Sequence, residues 1–153
     1  MPARATRQKS KTAAYGTDVP KLARIVVHVD NLDRGGQFYS TLLDTPGRAV
    51  GGGRVYFDCG PVILAILDPT SGGEKARPVP DNVYFTVRDV EKVHERARKL
   101  GCLDGGDVHG EPAGKIVRRP WGERSFYVVD PWGNALCFAD EKTLFTGDRA
   151  VRK

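Results

Sequence analysis

Apolar residues along this chain fall into short β-branched or aromatic runs and two longer segments with helical spacing. Residues 22–32 (LARIVVHVDNL) lead into Asp33–Leu43 (DRGGQFYSTLL), and residues 82–90 (NVYFTVRDV) lead into 91–101 (EKVHERARKLG). In both cases a β-type run meets Asn or Asp, and a helical pattern begins. Asn31 and Asp89 are therefore the predicted N-caps, since each side-chain oxygen can accept from an amide that the first turn leaves without a partner. The spacing predicts helices over about 32–43 and 89–100. In the second, Val90, Val93, Ala97 and Leu100 share one face and Gly101 supplies the stop. The first is weaker in itself, because Gly35 and Gly36 each cost about 1 kcal/mol relative to Ala, and Phe38, Tyr39, Leu42 and Leu43 must compensate by burial.

Further β-type runs follow each helix. Arg54–Asp58 and Val62–Leu67 flank a Cys59-Gly60-Pro61 turn, and Lys115–Arg118 precedes Ser125–Val129 and Ala135–Ala139. The last two runs are joined by Asp130-Pro131-Trp132-Gly133-Asn134, whose fixed φ, permissive Gly and turn-tolerant Asn predict a hairpin. The pattern is βαβββ, written twice, with the two caps 58 residues apart. The predicted fold class is α+β, with two paired βαβββ modules forming a curved-sheet cleft. The predicted organisation is a basic extension over 1–21, a first module over 22–68, a Pro/Gly/Ser-rich linker over 69–81, a second module over 82–142 and a tail over 143–153.

Composition narrows the function classes. At 153 residues and 40% hydrophobic, the chain is sized for one ordinary domain with its own core. No apolar run approaches the roughly 18–20 residues that span a bilayer, so no membrane role is expected. The +5 net charge belongs to the ends: Arg4, Arg7, Lys9, Lys11 and Lys21 against Asp18, and Arg149, Arg152 and Lys153 against Asp148, leaving −1 for residues 22–146. A basic arm can contact phosphates, but this one has only Tyr15 to offer a base, and a solvated or partner-bound extension is the preferred expectation over nucleic acid. Cys59, Cys102 and Cys137 lie in separate segments without a CxxC pair, which fits reduced thiols and a cytoplasmic location better than a disulfide framework.

The segment Arg119–Asp140 (RPWGERSFYVVDPWGNALCFAD) resembles the closing hairpin of the vicinal oxygen chelate superfamily, which includes glyoxalase I, extradiol dioxygenases, and fosfomycin- and bleomycin-resistance proteins. Asn31-Leu32-Asp33 with Phe38-Tyr39 is similar to that family's first-helix signature. Pro120–Arg124 together with Asp130–Asn134 looks most like its bleomycin-resistance-type branch. The resemblance covers roughly residues 22–142 and implies the paired-module fold. In metal-using members a divalent ion is held by residues from the first and last strands of the two modules. Those positions fall here on Arg24, Asn82, Cys137 and Ala65 or its neighbour Leu64. Arg cannot be deprotonated in a protein, Ala and Leu offer no donor, and Cys137 alone makes no site. The expectation is therefore no metal and no other cofactor.

The candidate ligand-binding residues are Arg24, His28, Asn82, Trp121 and Cys137. Arg24 is expected as a buried guanidinium in the cleft, and His28 shares its strand parity, though a satisfied structural hydrogen bond is the preferred reading of His28. Trp121 and Trp132 are the aromatic candidates for a flat ligand, with packing between modules as the alternative. His94, among charged helix residues, and His109, in a Gly-rich loop, read as incidental. No Ser or Cys has a recognisable base nearby in sequence, and no catalytic residue can be named. The resemblance implies a homodimer that binds a small molecule without metal, in drug or metabolite sequestration. The competing class is a metal-dependent lyase, isomerase or dioxygenase of the same superfamily, which would need His28, Asp58 or Cys137 as ligands.

Overall fold

The two N-caps organise the chain as their sequence context requires. The structure, a computed structural model, describes residues 18–147. The Asn31 side chain accepts from the Arg34 amide at 2.9 Å and opens α1 (Leu32–Leu43), while Asp89 accepts from the Lys92 amide at 3.1 Å and opens α2 (Val90–Leu100). Gly101 ends α2 at φ 70°, a left-handed conformation that costs glycine little. The strands are β1 (Arg24–His28), β2 (Arg48–Gly51), β3 (Arg54–Cys59), β4 (Val62–Leu67), β5 (Val83–Val87), β6 (Asp107–Val108), β7 (Glu111–Pro112), β8 (Val117–Arg118), β9 (Arg124–Val129) and β10 (Ala135–Asp140). β2 had no counterpart among the expected runs. Its residues, Arg-Ala-Val-Gly, are all exposed and carry no alternation to read.

The sheets repeat one plan. The first has the order β1-β4-β3-β2 and the second β5-β10-β9-β8, each with a parallel first pair and antiparallel neighbours. This is the α+β paired-module architecture. The basic extension lies outside the described residues over 1–17, as does the tail over 148–153. The expected linker holds a short 3-10 turn at Pro69–Gly72, and its later part is stitched to both modules: the Arg77 amide donates to His28 Nδ1, and the Val79 amide to Asn134 Oδ1.

A single apolar core joins the modules. Val27, Phe57 and Ile66 from the first sheet meet Phe126, Leu136 and Phe138 from the second, with Tyr39, Leu42, Val93 and Ala97 of the helices between them. Both helices therefore pack on the same side, and each sheet turns its other face outward. Gly35 lets α1 approach the sheet closely: a Cβ there would stand 3.0 Å from Ile66 Cδ1 and 3.1 Å from the Val29 methyls, so those side chains would have to shift by a few tenths of an ångström. Gly36 meets nothing within 4 Å. Replacing Gly36 by Ala should raise stability by about 0.5–1 kcal/mol, whereas Gly35→Ala should lower it. Urea unfolding of the two variants measures both, and equal effects would remove the close-approach explanation.

The Asp130–Asn134 turn is the polar tie across this core. Asp130, 3% exposed, accepts from the Trp132 and Asn134 amides, from Asn134 Nδ2 and from the Tyr39 hydroxyl of α1. Asn134, fully buried, also donates to the His28 carbonyl at 2.9 Å and accepts from Val79. Burial and the Asp130 charge raise the Tyr39 hydroxyl well above its ordinary pKa, so it stays protonated and donating. Asn134→Ala leaves buried partners unsatisfied on both modules and should cost about 2–4 kcal/mol. A loss below 1 kcal/mol in chemical denaturation would show that the tie is not needed.

Candidate functional site

The outward face of the first sheet carries the even-numbered side chains of β1 and their neighbours. Ile25, Val27 and Val29 turn to the core, so Arg24, Val26 and His28 turn outward. Across β4 and β3, Tyr56 and Asp58 share this face. The Arg24 guanidinium lies 5.7 Å from the centroid of the Tyr56 ring, and that of Arg48 lies 5.8 Å from the same ring. Arg48 is also held by a two-pronged pair with Asp58, at 2.8 and 3.0 Å. This pair lowers the Asp58 pKa and raises that of Arg48 through their mutual hydrogen bonds. Arg24 has no ion pair among the described residues. It is exposed, which differs from the expected buried guanidinium, because β1 is an edge strand with no strand paired on its outer side among the described residues.

The outward face of the second sheet is partly roofed by its own loop. Tyr84 and Thr86 of β5 are exposed, but Cys137 of β10 is fully buried beneath Ala113 and beside Tyr127. Cys137 is the register partner of Tyr84. Burial pushes its thiol up to about 11, and it similarly raises Tyr127, helped by the charges of Cys137 and Tyr84. Arg119 roofs this cluster. It is 2% exposed, lies 5.2 Å over the Tyr127 ring, and donates to the Ser125 hydroxyl and to the carbonyls of Ala113, Lys115 and Ser125. Its Nη1 is buried without a partner. Glu123, 6% exposed, accepts from Trp121 Nε1 and from the Phe145 amide, each at 2.9 Å.

Two cavities frame these faces. One of about 720 Å³ lies at the seam between the edge strands β1 and β5, over Leu42, Val93 and Phe138, and Asn82 sits on its rim. The other, about 580 Å³, is lined by Tyr84, Thr86, Trp121, Glu123, Leu144 and Phe145 among others. Of the five candidate residues, Asn82 thus borders one cavity and Trp121 the other, while Arg24, His28 and Cys137 border neither. The single chain does not gather them at one point. His28 is engaged through Nδ1 by the linker. Asn82 bonds to Asp81 through both its amide and its side chain.

Other residues behave differently from their sequence context. Trp132 is a seam residue: its ring packs edge-on to Phe38, lies under Arg34, and its Nε1 donates to Asp30. His94 is half-buried against Phe126, with Nε2 at 2.8 Å from the Gly114 carbonyl, and His109 packs on the edge of Trp121. Both had read as incidental. Arg119 and Glu123 were missed, since charged residues beside Pro and Gly look like any exposed turn. Only the tertiary roof buries them.

The positions that hold a metal in the resembling family do not fit one here. The resemblance sets Arg24 and Asn82 at two of them and Ala65 or Leu64 at a third, and the Cys137 thiol at the fourth is buried with its pKa raised, whereas a metal ligand is a thiolate. Among the described residues no three His, Cys, Asp or Glu side chains are grouped to hold an ion. Nor is any described helix long and apolar enough to cross a membrane. With Cys102 and Cys137 both raised to about 11 by burial, neither should react with a disulfide reagent at pH 8 in the native protein. Half-buried Cys59 should react alone and slowly, and all three only after unfolding. Rapid native modification of Cys137 would contradict its placement.

Comparison with known proteins places these features in a family. Residues 21–138 match the model of the Glyoxalase/Bleomycin resistance protein/Dioxygenase superfamily. Similar solved structures include a lactoylglutathione lyase from Agrobacterium tumefaciens (22% identity, 82% of this chain and 97% of that one, TM-score 0.59). A glyoxalase/bleomycin resistance protein from Albidiferax ferrireducens T118 is 20% identical over 78% of this chain and 97% of its own, with TM-score 0.64. The oxidase ChaP-H1 is 24% identical over 80% and 96%, with TM-score 0.65. Among curated proteins none matches this chain.

Proposed function

The chain belongs to the Glyoxalase/Bleomycin resistance protein/Dioxygenase superfamily, and from that premise we propose that it is a metal-independent small-molecule binder whose cup is completed by a second copy. The observation that carries this reading is Arg24: a guanidinium on the outward face of an edge strand, set against Tyr56 and, among the described residues, without a carboxylate. Arg48, on the same ring, is already neutralised by Asp58. The free donor fork of Arg24 suits a ligand carboxylate, phosphate or polarised carbonyl, which it can meet with two hydrogen bonds.

Support for a dimer comes from enclosure. A ligand site buries most of its ligand, yet each outward face is open by itself, with Tyr84 57% and Val26 44% exposed. Pairing the first sheet of one copy with the second sheet of another would cover these residues. It would also bring Arg24 and His28 toward Asn82 and Trp121, which the single chain leaves apart, while Cys137 stays sealed beneath Ala113. The binder is read as cytoplasmic, on its reduced thiols. A metal-dependent lyase, isomerase or dioxygenase is the rival, and the donor set described above disfavours it.

The test is titration with benzoate as the anionic probe. Wild-type protein should bind it saturably and run as a dimer in light scattering at micromolar concentration. Arg24→Met should weaken benzoate binding at least about tenfold, the loss of one charge-assisted pair, while the unfolding midpoint stays unchanged. Unaltered affinity in the variant would remove Arg24 from the site. Stoichiometric zinc, iron, manganese or nickel in protein purified without chelators or an affinity tag would overturn the metal-independent reading.

A further inference from the structure

The pocket of about 580 Å³ on the second sheet differs chemically from the Arg24 face. Its polar anchor is Glu123, a carboxylate 6% exposed that accepts only two hydrogen bonds, both from neutral N–H groups. A carboxylate has about four acceptor sites, and no ion pair among the described residues involves Glu123. Among the described residues its charge is thus held out of water without a cation, and such charges are costly until paired. Arg119, the buried cation of the same module, commits Nε and Nη2 to Ser125 and backbone carbonyls and lies over the Tyr127 ring; its Nη1 has no partner, but it makes no ion pair with Glu123 and does not line the pocket.

The walls are aromatic. Tyr84 and Phe145 are about half exposed, at 57% and 47%, and Trp121 faces them from the Arg119–Glu123 turn. Glu123 positions two of the three, taking the Trp121 indole N–H with one oxygen and the Phe145 amide with the other. His109 supports the far edge of Trp121, with ring centroids 5.3 Å apart. The segment after β10 is also tied down, since the Arg124 amide donates to Thr143 Oγ1 and the Lys142 amide to Asp140. Electron-rich ring faces attract cations within about 6 Å, and the neighbouring carboxylate adds full charge complementarity.

We propose that this pocket binds a cationic nitrogen group carried on an apolar or aromatic body, with Glu123 as the counter-charge and Trp121, Tyr84 and Phe145 as its walls. The proposal deepens the cup reading and rests on it, since the pocket opens on the outward face of the second sheet. It separates Glu123 from a purely structural clip of the chain's end. A clip needs only the two N–H contacts already made, whereas a recognition site discriminates by ligand charge.

The experiment uses the full chain, with benzyltrimethylammonium as the cationic probe, benzyl alcohol as the neutral one and benzoate in parallel. Binding is followed by calorimetry and by the indole N–H resonance of Trp121, assigned by its loss in Trp121→Phe. The ammonium should bind at least about tenfold more tightly than the alcohol and shift that resonance. Glu123→Gln should erase the preference and leave benzoate binding intact. Should Glu123→Gln fail to fold, Phe145→Ala keeps the carboxylate and removes a wall, and should weaken the ammonium alone by a few-fold. Equal affinity for ammonium and alcohol, or ammonium affinity unchanged in these variants, overturns the proposal. Benzoate binding retained beside such a result leaves the Arg24 reading standing, whereas loss of both probes in the wild type removes both.

Discussion

The Asp130 carboxylate is the interaction on which the arrangement of this molecule depends. It is buried, has no ion-pair partner among the described residues, and is satisfied by donors drawn from its own turn and from α1 of the other module. A carboxylate in that setting tolerates little displacement, because every lost donor exposes an uncompensated buried charge. Asn134 extends the constraint to the end of β1 and to the linker. The apolar core supplies most of the driving force, but apolar contacts are non-directional. The hydrogen bonds of Asp130 and Asn134 are what fix the second hairpin against the first strand in one orientation.

That orientation has a consequence for chemistry. With both helices sandwiched toward the shared core, the two sheet faces available to a ligand point outward and have diverged. The first is basic and shallow, with Arg24 and Arg48 flanking Tyr56. The second is roofed by the loop carrying Ala113 and Arg119, so the Cys137 thiol is sealed rather than presented. Beside that roof a carboxylate and three aromatic residues form a pocket of their own. One duplicated scaffold thus offers two surfaces of opposite character, because loop length and side-chain choice differ while strand order is kept.

Much of the fold was legible in residue order. Asn31, Asp89 and Gly101 act locally, through hydrogen bonds or dihedral freedom within a turn, and each is found where its neighbours in sequence place it. The β4 boundaries, Val62–Leu67, follow from a bounded apolar run, and the paired modules follow from the repeat of these signals. Strand parity correctly set Arg24 and His28 on one face. Parity cannot say whether that face is covered, and the guanidinium expected to be buried is exposed on an edge strand.

What the tertiary structure alone decided is which polar residues lose water and which meet. Arg119 and Glu123 look like ordinary turn residues until the 104–119 loop and the residues after β10 close over them, and Trp132 joins the seam because Asp30 and Phe38 of the other module are there to receive it. These contacts link positions far apart in the chain, such as Tyr39 with Asp130 and His28 with Asn134. Secondary structure and repeat are short-range properties of the backbone and are written in neighbouring residues. Burial, pairing and the character of a pocket depend on distant segments arriving together, and only packing settles them.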